Sequence, residues 1–153
     1  MFPLFDSASV LLLDPDIIKH LFEGKLRSVL ICRKCRNKRV QPESFVSISL
    51  PLSKEAARAA ASPIRPRGKV ALTVERCLHH FTLPEELSDP VDCPHCGEKT
   101  PTTKQHVVSR LPPVLCLHLK RFDAALNKKI EDFVAFPAKN LNMGPYLPHW
   151  YVS

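Results

Sequence analysis

The stretch "DCPHCGEK", residues 92–99, places two cysteines two residues apart, with a proline between them and a glycine directly after. On a tight turn this spacing aims two thiolates at one ion, about 2.3 Å from it if the ion is zinc. It is half of a metal site. The other half lies in "LICRKCRNK", residues 30–38, where Cys32 and Cys35 repeat the spacing of Cys93 and Cys96. Two such knuckles make a closed, tetrahedral, four-sulfur site. A closed site is structural, because no coordination position is left for water or substrate. Cys32, Cys35, Cys93 and Cys96 are therefore the expected ligands of one structural zinc ion. His95 sits inside the second knuckle and could replace a cysteine. With four sulfurs at hand it is expected to point outward.

The remaining two of the six cysteines read differently. Val74, Cys77, Leu78 and Phe81 fall at i, i+3, i+4 and i+7, the apolar stripe of a short helix, so Cys77 is a small core residue. Cys116 lies in the alternating run 114–119 and is expected to be buried. Neither has an activating partner in the sequence. Six cysteines without a secretory leader suit a reducing compartment, where thiols serve as metal ligands or core residues before disulfides. The short apolar run 9–13 lacks a basic leader and stops at Asp14, and no stretch approaches the roughly 20 apolar residues that span a bilayer. An intracellular protein without a membrane anchor is expected, in the nucleus or the cytoplasm.

Outward from the knuckles, 153 residues with 44% hydrophobic content suffice for one core, and fifteen prolines imply many turns and few long helices. Asp14-Pro15 reads as a helix start, with Ile17, Ile18, Leu21 and Phe22 on one apolar face and Gly24 as the stop. A strand at 26–31 leads into the first knuckle. The return strand "SFVSISLPL", 44–52, places Val46, Ile48 and Leu50 on one buried face. Residues 53–70, rich in alanine, arginine and proline, read as a variable loop with a possible helical turn at 54–61. A helix over 73–81 follows, with Thr73 as N-cap. Strands are expected at 104–111, at 113–122 with Leu115, Leu117 and Leu119 on one face, and at 129–137 with Phe133 opposite Val134 and Phe136. The chain is mostly β with two or three short helices.

The formal charge of +7 gathers at the first knuckle, in Lys25, Arg27, Arg33, Lys34, Arg36, Lys38 and Arg39. This permits contact with nucleic acid or an acidic protein surface. No aromatic residue is interleaved in the cluster, which argues against a stacking platform for single strands. Residues 36–92, 57 in all, separate the knuckles, far beyond the roughly 15–20 of a compact nucleic-acid-binding finger.

The order of these features resembles the middle of a ubiquitin-specific protease, a papain-like deubiquitinase. The resemblance is carried by "FEGKLRSVLICRKC" (22–35), "FVSISLPL" (45–52), "LTVERCLHHFTLPEEL" (72–87), "DCPHCGEKTPTTKQHVVSRLPPVLCLHLKRF" (92–122) and "KKIEDFVAFPAKNLNM" (128–143). It implies an α+β, mostly β fold. Residues 15–147 would form a partial protease domain, with zinc-ribbon fingers at 26–52 and 88–111 and palm strands at 113–136. Residues 1–14 and 148–153 are unmatched. In this family fingers and palm grip the body of ubiquitin, while a cysteine thiolate attacks the isopeptide carbonyl, a histidine serves as base and acid, and an Asp or Asn orients that histidine. The implied zinc ligands are again Cys32, Cys35, Cys93 and Cys96. No catalytic residue carries over. The family's catalytic cysteine precedes the fingers, and residues 1–14 contain no cysteine. Its histidine follows the palm, and His149 in "LPHWYVS" does not match the pattern.

The resemblance implies part of a thiol-dependent deubiquitinase that is inactive by itself and partners ubiquitin and ubiquitinated proteins. Histone-linked ubiquitin and coactivator-complex subunits are among the partners it suggests. Strands 26–31, 44–50, 113–122 and 130–136 are the expected ubiquitin surface, without assignment to residues. The alternatives are a non-catalytic ubiquitin-binding or scaffold module and, against the knuckle spacing, a zinc-ribbon nucleic-acid binder.

Overall fold

The computed structural model describes residues 16–52, 72–123 and 127–147. The expected helix start at Asp14-Pro15, the loop 53–70 and the tail with His149 lie outside these residues. The elements run α1 (Ile17–Phe22), β1 (Gly24–Cys32), β2 (Lys38–Phe45), β3 (Ile48–Pro51), β4 (Leu72–Thr73), α2 (Val74–Thr82), β5 (Glu85–Glu86), β6 (Val91–Cys93), β7 (Glu98–Thr100), β8 (Thr102–Arg110), β9 (Leu117–Lys120), β10 (Phe122–Asp123), β11 (Lys128–Lys129) and β12 (Val134–Ala135), with a 3-10 turn at Gly144–Tyr146. The fold is mostly strand, as the sequence patterns require.

The longest strands make one antiparallel sheet in the order β2-β1-β8-β5. Along β1, Gly24, Leu26, Ser28 and Cys32 are buried and the residues between them are not, the period of two that a half-buried strand shows. β2 is the edge strand, mostly exposed, and carries Pro42, which an edge tolerates because no partner needs its missing N–H. The four-stranded sheet runs from Phe45 and Val108, in the apolar core, out to Cys32 and Thr102, which are paired at its far end.

The core gathers α2 and short strands from distant parts of the chain. β3 pairs with β9 and β4 with β12, both parallel. Ile48, Leu50, Leu78 and Cys77 are at most 1% exposed. Each large aliphatic side chain buried this completely contributes about 1.5–3 kcal/mol relative to solvent exposure. Leu115, Leu117 and Leu119 pack on this core together, and Cys77 is buried, as the sequence implied. Helix α2 starts where its cap dictates: the Thr73 hydroxyl accepts the Arg76 amide at 3.3 Å. The 3-10 turn is tied to α2 by Tyr146, whose hydroxyl donates to the Glu75 carbonyl at 2.9 Å.

Seven expectations are corrected. The strand expected at 113–122 is reduced to β9 and β10, with 113–116 outside any strand, and the strand expected at 129–137 to the end of β11 and to β12, with 130–133 between them irregular. The run 44–52 is two strands, because β2 belongs to the four-stranded sheet and β3 leaves to pair with β9; the bend at Val46-Ser47 breaks the alternation and leaves Val46 52% exposed. Cys116 is exposed: Leu115 and Leu117 point at the core, so the residue between them faces away. Val134 is buried, but Phe133 and Phe136 are both exposed, because β12 ends at Ala135 and its alternation stops there. Helix α1 buries none of its residues; it is joined to the rest through the Val114 amide, which donates to the Leu21 carbonyl at 2.9 Å. Gly24 does not stop that helix in a left-handed turn. Glu23 is already extended, and Gly24 opens β1 with the Phe45 ring lying over it.

Candidate metal centre

Each knuckle is a local consequence of its strand pair. β1 ends at Cys32 and turns back through Arg33, Lys34 and Cys35, with the Arg36 amide donating to the Cys32 carbonyl at 3.0 Å. β6 ends at Cys93 and turns through Pro94, His95 and Cys96, with the Gly97 amide donating to the Cys93 carbonyl at 2.9 Å. In both, the residue after the second cysteine is left-handed, Arg36 at φ 62° and Gly97 at φ 71°. Glycine takes this conformation without a steric penalty; arginine does not. The match in hydrogen bond and backbone shows that the two CxxC segments are one structural device used twice.

The sheet brings the two knuckles together. The Arg33 amide donates to the Pro101 carbonyl at 2.9 Å, which docks the first knuckle onto the strand leaving the second. The four sulfurs then lie within 4.8 Å of one another. Cys32 Sγ is 3.9 Å from Cys96 Sγ, and Cys35 Sγ is 3.7 Å from Cys93 Sγ. A tetrahedron with zinc–sulfur bonds of about 2.3 Å has edges of about 3.8 Å. The spacing is that of four ligands round one ion, and far longer than the roughly 2.05 Å of a disulfide. Cys32 and Cys93 are buried, Cys35 and Cys96 half-buried, and His95 is exposed, outside the cluster.

The electrostatics agree with a cation-binding role. The buried Thr100 hydroxyl lies 3.2 Å from Cys32 Sγ, and the Cys35 amide 3.5 Å from it. The Thr100 hydroxyl first, and then that amide, lower the Cys32 thiol to about 6. Its hydrogen bond with Cys35, then burial, push the Cys96 thiol up to about 12. Four crowded sulfurs cannot all ionise alone; a divalent cation among them removes that repulsion and deprotonates coordinating thiols. The donor set therefore fits a soft or borderline ion such as zinc.

Ion pairs clamp the knuckles from outside. Lys34 pairs with Glu98 across the two turns, and Arg33 Nη1 lies 2.8 Å from Glu86 of β5. The Lys34 ammonium lowers the Glu98 carboxyl, and Glu98 raises the lysine. Such exposed pairs are screened by solvent and add little stability, so they orient the turns more than they stabilise them. Lys25 pairs with Glu23 in the same way, so Lys25, Arg33 and Lys34 all have acidic partners. Thr100 and the Lys34–Glu98 pair could not be read from the sequence, because both depend on the β6–β7 register and the docking of one knuckle on the other. The glycine after Cys96 was the visible signal for a left-handed residue, and Arg36 carries the same role unmarked.

Two CxxC turns at the tip of a long antiparallel sheet define a ribbon that could hold one metal ion. The chain belongs to the ubiquitin carboxyl-terminal hydrolase family, which matches residues 7–149. It is 36% identical over 126 residues to ubiquitin carboxyl-terminal hydrolase 4 of Saccharomyces cerevisiae, an overlap of 81% of this chain and 12% of that protein. It is 37% identical over 134 residues to human ubiquitin carboxyl-terminal hydrolase 21, covering 84% of this chain and 22% of the relative. The chain thus spans a small part of the length of these relatives. Among solved structures, it resembles a chain of the SAGA DUB module Ubp8/Sgf11/Sus1/Sgf73 bound to monoubiquitin, with a TM-score of 0.67 and 30% identity over 92% of this chain and 30% of the other.

Proposed function

We propose that this chain supplies the ubiquitin-gripping fingers and palm of a thiol-dependent deubiquitinase, with one structural zinc ion held by Cys32, Cys35, Cys93 and Cys96. The observation that supports this most is the four-sulfur cluster itself, assembled from turns separated by residues 36–92 within a chain of this family. Within that reading, residues 15–147 are a partial protease domain, with fingers at 26–52 and 88–111 and palm strands at 113–136. The ion's task is structural. It joins two turns whose own contacts are hydrogen bonds and exposed ion pairs, and it fixes the tip of the sheet that would face ubiquitin.

The partners in this reading are ubiquitin and ubiquitinated proteins. The likeness to a DUB-module chain that is bound to monoubiquitin and assembled with Sgf11, Sus1 and Sgf73 supports ubiquitin and further subunits as partners. Histone-linked ubiquitin, coactivator subunits and a nuclear or cytoplasmic setting belong to the same proposal. No position of this sequence matches the family's catalytic cysteine or histidine, so the chain by itself binds ubiquitin and does not cleave its conjugates. Titration of the zinc-loaded chain with ubiquitin is expected to saturate. A ubiquitin–fluorophore conjugate is expected to stay intact in its presence. Absence of saturable binding at millimolar ubiquitin would refute the gripping role, and turnover of the conjugate would refute the inactivity.

A further inference from the structure

We propose that the cysteine cluster is also a peroxide-responsive oxidation site, which closes disulfides across the knuckles, Cys35 to Cys93 and Cys96 to Cys32. This goes beyond the structural role assigned above and rests on it only for the ion that is released.

The facing of the two knuckles carries the inference. Cys32 and Cys93 are 4% and 6% exposed, whereas Cys35 and Cys96 are partly open to solvent. Access to the sulfur is one determinant of which thiolate is oxidised. Cys32 also has the Thr100 hydroxyl at 3.2 Å and the Cys35 amide at 3.5 Å from its sulfur. Each open cysteine faces a closed one across the gap, at 3.7 Å for Cys35–Cys93 and 3.9 Å for Cys96–Cys32. The same knuckle-to-knuckle contacts that gather the ligands also hold these partners in place: the Arg33 amide on the Pro101 carbonyl and the Lys34–Glu98 pair.

The chemistry balances with peroxide as the oxidant. One thiolate of a facing pair attacks one peroxide oxygen; an S–O bond forms, the O–O bond breaks, and hydroxide leaves. The facing thiolate then attacks the sulfenic sulfur; an S–S bond forms, the S–O bond breaks, and a second hydroxide leaves. Each pair of thiolates gives up two electrons to one peroxide, which takes two protons and ends as two waters. Two peroxides consume all four ligands and free the ion. The product is a metal-free ribbon with its knuckles still joined, so it regains the ion after reduction.

The test treats the metal-loaded chain, and separately the chelator-stripped chain, with hydrogen peroxide. Released zinc is followed with a chromophoric chelator, and disulfides are mapped by mass spectrometry after trypsin without reductant. Cleavage after Arg33, Lys34 and Arg36 separates Cys32 from Cys35, and fragmentation of peptide 77–99 between Cys93 and Cys96 in the mass spectrometer assigns the partner of each. The peptide 28–33 is expected joined to Cys96, and the peptide 35–36 to Cys93, each within peptide 77–99. Peptides 28–33 and 35–36 joined to each other, with Cys93 bonded to Cys96, would overturn the proposal, as would sulfinic acids without disulfides. Cross-knuckle disulfides in a chain that never carried zinc would sustain it while refuting the zinc assignment.

Discussion

Gly24 sits where the N-terminal helix meets the four-stranded sheet, and the demand placed on it is steric. A Cβ built there would lie 2.2 and 2.5 Å from two atoms of the Phe45 ring and 2.9 Å from the Arg110 carbonyl oxygen. Carbon atoms in contact sit about 3.5–4.0 Å apart, so the ring must withdraw by more than about 1 Å. Phe45 is only 8% exposed and packs in the core, and the Arg110 oxygen belongs to the neighbouring strand, so neither side gives way easily. Overpacking of this kind costs about 1–3 kcal/mol. Alanine regains about 0.5–1 kcal/mol over glycine in a strand. Gly24→Ala is therefore expected to destabilise by about 1–2 kcal/mol, which lowers Tm by roughly 3–6 °C for a chain of this size. Thermal melts of the zinc-saturated protein measure this directly. In a Phe45→Leu background the same change should cost clearly less, because the ring that it strikes is gone. A wild-type Tm for Gly24→Ala, or a loss unaltered by Phe45→Leu, would refute the close-approach reasoning. Gly97→Ala is the contrast. Nothing lies within 4 Å of its Cβ, but φ is +71°, so its expected loss of about 1 kcal/mol comes from backbone strain alone.

Removing zinc with a chelator, or making Cys93→Ser, is expected to abolish a stoichiometry of one zinc per chain and to disorder the knuckles; a zinc-free wild-type protein with a native spectrum would refute the ligand set. Leu78→Ala, at 0% exposure, is expected to lose about 2–5 kcal/mol in urea denaturation. Thr73→Ala should cost about 1 kcal/mol and Thr73→Ser little, since only the hydroxyl caps α2. His106, stacked on Phe81 at 4.9 Å, is held below its ordinary value of 6.5 first by burial and then by Lys104. Its folded form resists protonation, so the unfolded chain takes up the proton first. Its contribution is fully present above the unfolded value and is lost as pH falls toward the folded one. Denaturant melts between pH 7 and 5 should therefore show a steeper loss for the wild type than for His106→Phe.

What the sequence determined by itself was local. Two CxxC turns, a threonine three residues ahead of a helical amide, and an apolar stripe at i, i+3, i+4 and i+7 each need only their own neighbours, and all appear where they were read. The alternating leucines 115, 117 and 119 belong to the same class. Burial of strand residues did not, because the face that a strand buries depends on which sheet receives it. Val46 is exposed since the chain changes sheets beside it, Cys116 since its neighbours claim the core, and Phe136 since its strand ends one residue earlier. The cluster divides along the same line. Its four sulfurs were legible as a set, for spacing alone makes each pair a chelate. Only the tertiary structure decided that Cys32 meets Cys96 and Cys35 meets Cys93, with Thr100 against one sulfur and Lys34 tied to Glu98. Those pairings are set by the register of β1 against β8 and the docking of one turn on another, long-range contacts for which a linear chain carries no local signal.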